Sequence, residues 1–307
     1  MTRAEAAAET QHAPAGGESG FVLLAVLWMI AALAALASIY LAYARTSAAG
    51  SGLPGERLQA EAALHAGLEL AAYHALAATE PRQKAGHFET PLGRARVTVD
   101  YLPESARINL NAAPKELLSG LIATLGLAQD KADEAAAHII AWRGGAGQQA
   151  AQQEIAVYQA AKLKYGPRQG PFGNPLELSL VVGLPEAVVH PMLRYVTIYS
   201  DDGRVDALDA DPTVLSALPQ MTPDALAQFL KLRADPDADP AALAKALGAA
   251  ANFTTQTPSK ALRAEIVADF GAGRRYGAEV VFSLSDKGDE PFDVLDWRDD
   301  LDGAPPA

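Results

Sequence analysis

The chain opens with a long apolar run that predicts a transmembrane helix. No charged residue lies in 19–44, and residues 21–43 read FVLLAVLWMIAALAALASIYLAY before Arg45. A helix of this length rises about 34 Å, which is enough to cross a bilayer core of about 30 Å. We therefore expect one membrane span over residues 21–43.

Other interpretations of this run stay open. It fits an ordinary single-span anchor, or a cleaved secretory signal in which Ala35-Leu36-Ala37 supplies a small-x-small cut. The signal is disfavoured because its apolar region is ordinarily ~7–15 residues long, and a buried core helix because the run has no polar face. The preceding residues are unusually acidic for a leader, since Arg3 is the one base against three acids.

A second helical pattern follows the span. Leucines at 58, 64, 68, 70 and 76 recur among alanines after a Gly/Pro-rich stretch at 47–55. Because Pro and Gly interrupt helices, we expect either one long helix bent near Pro54 or two helices joined by a linker. Leu58, Leu64 and Leu68, with small neighbours, predict an apolar stripe that packs against other helices.

Strand patterns lie on both sides of a long helical block. Residues 87–90, a turn at 91–93 and the alternating segment 94–101 predict a hairpin. Three more strands are predicted after the block, at 261–268, 276–283 and 291–297. We predict the α+β class, in which strands 94–101, 261–268 and 276–283 share one antiparallel sheet and a helical domain is inserted between them.

The helical block contains an internal repeat. RINLNAAPKEL at 107–117 resembles RVDALDADPTVL at 204–215, and the shared Asn/Asp-Ala-x-Pro-x-x-Leu core aligns Pro114 with Pro212. A short polar side chain caps a helix start, and proline fits its first turn. Each segment leads into a second helix ending near Arg143 or Arg233, which predicts two helix-hairpin-helix units. The stretch 175–185 predicts a further helix-turn-helix step.

Composition narrows the class of protein. The 307 residues are half apolar, include no cysteine and carry a formal net charge of −12. The absence of cysteine excludes a disulfide framework, thiolate metal sites and a Cys nucleophile. The six histidines form no metal-ligand spacing, and the sequence has no phosphate loop or Ser elbow. We therefore predict that the protein is not an enzyme.

Several parts of the chain resemble one known family. Gly20-Phe21, at the start of the apolar run, has the shape of a type IV prepilin processing site. The other parts follow in order: RINLNAAP at 107–114, NPLEL at 174–178 leading to Leu184-Pro185, the predicted strand YVTIYS at 195–200 before Gly203-Arg204-Val205, and VLDWR at 294–298. Through their order and spacing the chain resembles the type II secretion system minor pseudopilin K family.

The resemblance implies a place in a secretion machine. A prepilin peptidase would cut after Gly20 and leave a methylated Phe21 at the N-terminus. A single span would hold the protein in the bacterial inner membrane, with most of the chain in the periplasm. There it would join minor pseudopilins I and J at the tip of a pseudopilus and cap a fibre of the major pseudopilin G. The fibre helps export folded proteins through the outer-membrane secretin.

One family feature is a missing acid. Most pilin-like proteins carry Glu at the fifth mature position, where it is thought to pair with the N-terminal amine of a neighbouring subunit; here that position is Ala25. A carboxylate in lipid costs about 2.5–3.5 kcal/mol, so it persists where a partner compensates. Minor pseudopilin K typically lacks this Glu, because a tip subunit has no subunit above it. Ala25 therefore favours K over other pseudopilins.

These expectations divide the chain into six parts. They are a prepilin leader at 1–20, the transmembrane helix at 21–43, the pseudopilin helix and first strands at 44–103, an inserted α-helical domain at 104–252, returning strands at 253–303, and a tail at 304–307.

Two binding functions are alternatives or additions to a role in the pseudopilus. Helix-hairpin-helix units often bind the DNA backbone, so the alternative is a membrane-anchored DNA-binding protein of the competence type. The first hairpin has Leu125-Gly126-Leu127, but the second, at 218–222, has no glycine. An acidic chain is repelled by nucleic acid, so we predict no nucleic acid partner.

Calcium is the other ligand considered. Some family members bind calcium in the inserted domain, and the acidic loop that holds five aspartates is the candidate: Asp201, Asp202, Asp206, Asp209 and Asp211. The alternative is a solvated loop whose aspartates cap helices. The segment from Asp235 begins like an EF-hand, but it lacks that motif's Gly and bidentate Glu.

Overall fold

The chain is described here from a computed structural model. The structure describes residues 18–78, 85–145, 147–235, 237–285 and 290–300, with backbone alone for 18–22 and 42–54. Most of the predicted leader and the tail at 304–307 lie outside the described residues.

The helices and strands alternate in blocks along the chain. The helices are α1 (Glu18–Ala77), α2 (Lys115–Thr124), α3 (Gln129–Trp142), α4 (Gly147–Ala160), α5 (Glu186–Met192), α6 (Pro212–Ser216), α7 (Pro223–Arg233) and α8 (Pro240–Leu247). The strands are β1 (Gly86–Leu92), β2 (Ala95–Pro103), β3 (Ile108–Asn109), β4 (Val196–Thr197), β5 (Val205–Asp206), β6 (Thr254–Thr255), β7 (Ala261–Asp269), β8 (Arg275–Leu284) and β9 (Phe292–Asp300).

Helix α1 runs without a break through the Gly/Pro-rich stretch, so the alternative of two helices joined by a linker is wrong. The described residues up to Gln59 form one unit, and the described residues from Ala60 onward form a second.

The main sheet has five antiparallel strands in the order β1-β2-β7-β8-β9, which confirms the predicted common sheet. Alternating apolar residues of β2 and β7 are buried against α1. The helix approaches closely at Gly67, where an added Cβ would lie 2.7 Å from Ile266 Cγ2. Gly67 therefore sets the distance between helix and sheet, because a larger residue would push the layers apart.

Both edges of the sheet carry features that resist further pairing. In β1, Pro91 stands opposite Arg96 in a hairpin whose last pair is Leu92 and Ala95. In a two-residue hairpin the backbone of Pro91 faces the outer edge, where proline offers no N–H. In β9, the register jumps from Asp296 to Val294 and leaves Leu295 as a bulge. Such devices protect edge strands from pairing with another chain.

Helices α2 to α8 all lie between β2 and β7 and surround their own core. This core draws on residues 108–250, whereas the sheet core draws on residues 63–101 and 262–284. The block also contains two short parallel pairs, β3 with β4 and β5 with β6, of which sequence reasoning predicted only the neighbourhood of β4. The stretch 175–180 is a 3₁₀ turn rather than an α-helix. The exact domain boundaries stay a prediction.

The two predicted repeats are real, but their alignment shifts by one residue. Ala113 N–H donates to Asn109 O, and Ala210 N–H donates to Asp206 O. The spacing between these matching bonds pairs Pro114 with Asp211, not with Pro212. Asp211 caps α6 with Pro212 in the first turn, as predicted, but Pro114 is itself the cap residue of α2 and lies outside its first turn.

The repeats pack against each other at matching positions. Gly120 of α2 and Ala217 just after α6 are equivalent by this alignment, and an added Cβ on Gly120 would lie 2.1 Å from Ala217 O. Contact between equivalent positions indicates an approximate twofold rotation between the repeats. Gly120 is required because only glycine admits the carbonyl of the second repeat this close.

Candidate assembly site

The N-terminal half of α1 has the length and composition of a membrane span. Leu23–Leu41 has a mean hydropathy of 2.3 and none of this window is buried, so every side chain described there is available to lipid or to another helix. It is the one helix of this kind among the described residues. The finding fits a single-pass anchor.

The predicted processing residues lie at the start of this helix. Gly20 and Phe21 belong to the first turn of α1, and their side chains lie outside what the structure describes. Ala25 is exposed on the helix surface. Cleavage at Gly20 and the meaning of Ala25 stay predictions.

The apolar stripe predicted for partner helices is partly wrong. Leu64 and Leu68 are 0% and 2% exposed, because they pack against the chain's own sheet. Leu58, by contrast, is exposed as predicted. Periodicity alone shows that a helix has an apolar face but not which surface covers it.

A different face of α1 is open within the folded unit. The exposed or half-buried positions on the side away from the sheet are Ala62, Ala66, Glu69, Tyr73 and Leu76. Their spacing alternates between four and three residues, the period of helices that pack side by side. Tyr73 is 67% exposed and Leu76 is 46% exposed. We call these five residues the α1 seam.

A buried ion cluster joins the helical block to the sheet. Glu104, fully buried after β2, accepts from Arg263 of β7 through Oε1 at 2.7 Å and Oε2 at 3.2 Å. It also accepts from the hydroxyl of Thr197 on β4. Arg263 reaches Glu279 of β8 at 2.5 Å. Strands of both cores therefore meet at one carboxylate.

The charges in this cluster balance because they are paired. Burial alone would lower the pKa of Arg263, but the neighbouring Glu104 and Glu279 carboxylates raise it above its ordinary value. Burial lowers the pKa of Arg107, and the positive charge of Arg263 lowers it further. Removing one member would leave an uncompensated charge in the interior. Sequence reasoning missed the cluster, because Arg263 sits in an alternating strand where a charged residue is expected to face water.

Each helical repeat ends in an arginine that holds its own first loop. Arg143 donates to Leu110 O at 2.7 Å and Ala113 O at 2.9 Å. Arg233 donates to Ala207 O at 3.1 Å and Ala210 O at 2.6 Å. The accepting carbonyls are equivalent in the two repeats. Burial lowers the pKa of both arginines. Sequence reasoning found these arginines as helix ends but not as clamps.

The hairpins of the repeats offer little to a phosphate backbone. Gly126 takes a positive φ of 105° in the first hairpin, and Gln220 takes 65° in the second. The segment around the first hairpin, from 115 to 134, carries four acids and two bases. Asp133 accepts from Ser119 and Gln129, which hold the pKa of its carboxyl below the usual range. The DNA-binding alternative gains no support from this surface, since like charge repels phosphate.

The aspartates proposed as calcium ligands make separate interactions with different residues. Asp202 pairs with Arg204 at 2.5 Å, which lowers the pKa of Asp202. Asp206 is buried and accepts from Leu208 N–H, and Asp211 caps α6 through Thr213 N–H. Asp209 interacts electrostatically with Arg233, and Asp201 is exposed.

The described aspartates of this loop are not gathered around one point, and calcium binding stays a prediction. Among the described residues, no group of three or more His, Cys, Asp or Glu side chains could hold a metal ion. Helix capping and a surface ion pair account for the aspartates whose partners the structure gives.

Comparison with known proteins finds a family model that matches part of the chain and a solved structure with a similar fold. Residues 96–201, which cover β2 and the first repeat, match the sequence model of the family described as Type II secretion system (T2SS), protein K. The fold is similar to a chain in the crystal structure of the GspK-GspI-GspJ complex from the enterotoxigenic Escherichia coli Type 2 Secretion System. The TM-score is 0.55 at 16% identity, and the likeness covers 83% of this chain and 99% of that chain.

The comparison with curated proteins finds no match. At 16% identity the structural likeness shows the fold alone. The sequence match over residues 96–201 supports a type II secretion system minor pseudopilin K.

Proposed function

We propose that this protein is the tip subunit of a type II secretion pseudopilus. It joins minor pseudopilins I and J, starts and caps the fibre of pseudopilin G, and so helps export folded proteins through the outer-membrane secretin. It is a structural subunit rather than an enzyme. The observation that carries the proposal is a pilin-like helix and sheet that bear a large helical block at residues 104–252.

The α1 seam supports assembly through helices. Its face points away from the sheet, and its small residues allow a second helix to come close. The two sheet edges are protected by Pro91 and by the bulge at Leu295. Pairing along the sheet is therefore disfavoured, while the seam leaves a surface of small and apolar side chains around Glu69 for a neighbouring pseudopilin helix.

The position at the tip rests on Ala25 and on the helical block. A subunit without a carboxylate at this depth has nothing to offer the N-terminal amine of a neighbour. A block of this size would repeat poorly along a fibre that must pass a secretin. One copy at the end satisfies both constraints, with the span in the inner membrane and the folded unit in the periplasm.

Co-purification tests the assembly. The full chain in detergent should form a 1:1:1 complex with pseudopilins I and J. Tyr73→Lys places a charge in the seam and should weaken recovery of the partners at least tenfold. The matched control is Glu61→Lys, an exposed position on the same helix outside the seam, which should leave recovery unchanged. Long fibres of this chain alone, or no complex at micromolar concentration, would refute the tip position.

Processing is tested by mass spectrometry of the mature N-terminus. A prepilin peptidase should yield a chain that begins at methylated Phe21, and a bulky residue in place of Gly20 should block the cut. A mature chain that begins at Ser38 would instead show a secretory signal.

A further inference from the structure

One charge lies inside the α1 seam. Glu69 occupies its middle position, one turn after Ala66 and one turn before Tyr73. It is exposed, and among the described residues its carboxylate makes no hydrogen bond or ion pair. Its neighbours in the seam are small or apolar, and Tyr73 and Leu76 are 67% and 46% exposed. The seam is therefore a largely apolar surface with one free acid at its centre.

The helix that carries this acid offers it no base. Between Ala60 and Ala77 the fixed charges of α1 are Glu61 and Glu69, and this segment contains no lysine or arginine. The two histidines of the segment pack against aromatic rings of β9 and β1. A basic partner for Glu69 must therefore come from outside α1.

Packing of a second helix on the seam changes the free energy of this charge. A helix that covers Ala62, Ala66 and Tyr73 also covers Glu69, because Glu69 lies between them on the same face. A carboxylate that loses water without a partner is destabilising, whereas a close pair with a base compensates the loss. A single polar position within an apolar helix contact fixes the register and the partner. Glu69 therefore restricts which helix the seam accepts.

A second copy of this chain does not supply the matching base. If two copies met seam to seam, Glu69 would face the same acid or an apolar position, since residues 60–77 include no lysine or arginine. An unpaired or repelling charge in a wrong complex is a common source of specificity. The acid therefore opposes self-association through this face and favours a different chain.

We propose that the α1 seam binds a helix of a different pseudopilin whose facing side carries small residues and one lysine or arginine that pairs with Glu69. This inference rests on the proposed function, because it names the chemistry of the helix that the seam receives at the tip. The small side chains let the two helices approach, and Tyr73 supplies the largest apolar contact. The pair with Glu69 decides which helix fits.

The test measures affinity for the partners directly. The full chain in detergent is titrated with labelled pseudopilins I and J, singly and together, and fluorescence anisotropy gives the dissociation constants. Glu69→Gln keeps the size of the side chain and removes its charge, so it should weaken binding of one partner at least tenfold. Glu69→Lys should weaken it further, because two bases would then meet. Added salt should weaken binding of the unaltered chain more steeply than binding of Glu69→Gln.

A matched control separates the seam charge from a general effect of charge. Glu61→Lys makes the same substitution at an exposed position of the same helix outside the seam, and it should bind like the unaltered chain. Circular dichroism checks that all variants are folded. Charge reversal on the partner completes the assignment, because one lysine or arginine of its helix, changed to glutamate, should restore binding to Glu69→Lys.

The outcomes distinguish this inference from the proposed function. If the unaltered chain forms no complex, the position at the tip and the pairing at Glu69 both fail. If it forms the complex but Glu69→Gln binds as tightly, the position at the tip stands and the pairing at Glu69 is overturned. The pairing is also overturned if no charge reversal on either partner restores binding to Glu69→Lys.

Discussion

The two helical repeats share a frame but differ in how they are attached. Both begin with a short strand and end with an arginine that clamps two carbonyls of the first loop. The equivalent residues Arg107 and Arg204 have different partners. Arg107 lies in the buried cluster with Glu104, whereas Arg204 pairs with Asp202 on the surface. The first repeat is tied to the sheet, and the second is tied mainly to the first.

The two repeats therefore share internal hydrogen bonds and differ at their surfaces. The loop hydrogen bonds are internal to each repeat, so they do not depend on what surrounds it. The outer positions depend on the neighbour, which is a sheet for one repeat and solvent for the other. The following variants test this difference between the internal hydrogen bonds and the outer surfaces of the repeats.

The largest effect is expected at the buried cluster. Glu104→Gln removes the charge that compensates Arg263 and should destabilise the protein by about 3–5 kcal/mol. The measurement is urea unfolding of the full chain in detergent. Asp202→Asn, the surface acid next to the equivalent arginine, should change the midpoint little. Equal effects of the two variants would show that the first repeat is no more firmly attached than the second.

The clamps should come next and should behave alike. Arg143→Met and Arg233→Met each leave two carbonyls of buried residues without a donor, at about 1–3 kcal/mol per unsatisfied group. We expect about 2–4 kcal/mol for each variant in the same unfolding experiment. A large loss for one and none for the other would break the idea of a shared frame.

Contact between the repeats should be sensitive to a single methyl group. Gly120→Ala places a Cβ against Ala217 O, and overpacking of this kind costs about 1–3 kcal/mol. Gly166→Ala is the control, because no atom lies within 4 Å of its added Cβ. An unchanged midpoint for Gly120→Ala would contradict the twofold packing of α2 against the second repeat.

The smallest effect is a gain in stability that depends on pH. Burial raises the pKa of Asp206, whereas Asn109 holds the equivalent position in the first repeat. The folded state therefore resists ionisation, so the charged form costs stability once pH rises above the pKa of the unfolded chain. Asp206→Asn keeps the acceptor for Leu208 N–H and should stabilise by about 1 kcal/mol at neutral pH.

The pH profile provides the check on this variant. Well below the unfolded-state pKa the aspartate is protonated in both states, so the advantage of asparagine should vanish. It should grow as pH rises above the unfolded-state pKa and be complete above the raised folded-state pKa. Thermal unfolding at several pH values measures the difference. A variant that is less stable at neutral pH would show that the Asp206 charge has a partner.

The strands of the main sheet, the long apolar helix and the repeats were predictable because their signals are local. Alternation in 94–101 and 261–268 reports one buried face of a sheet, and the uncharged run reports a solvent other than water. The repeat was visible because a helix start needs particular residues in a fixed order. Its one-residue misalignment arose because Pro114 and Pro212 look equivalent, although their backbone hydrogen bonds are not.

The sequence by itself determined the long apolar helix, the strands of the main sheet and most of the helices, since each depends on residue types at fixed spacing. Tertiary structure alone decided what each face meets. Leu64 and Leu68 pack inward while Tyr73 stays exposed, and Arg263 pairs with Glu104 across 159 positions. Burial and charge pairing are set by neighbours that are distant in sequence, and no local pattern encodes their position.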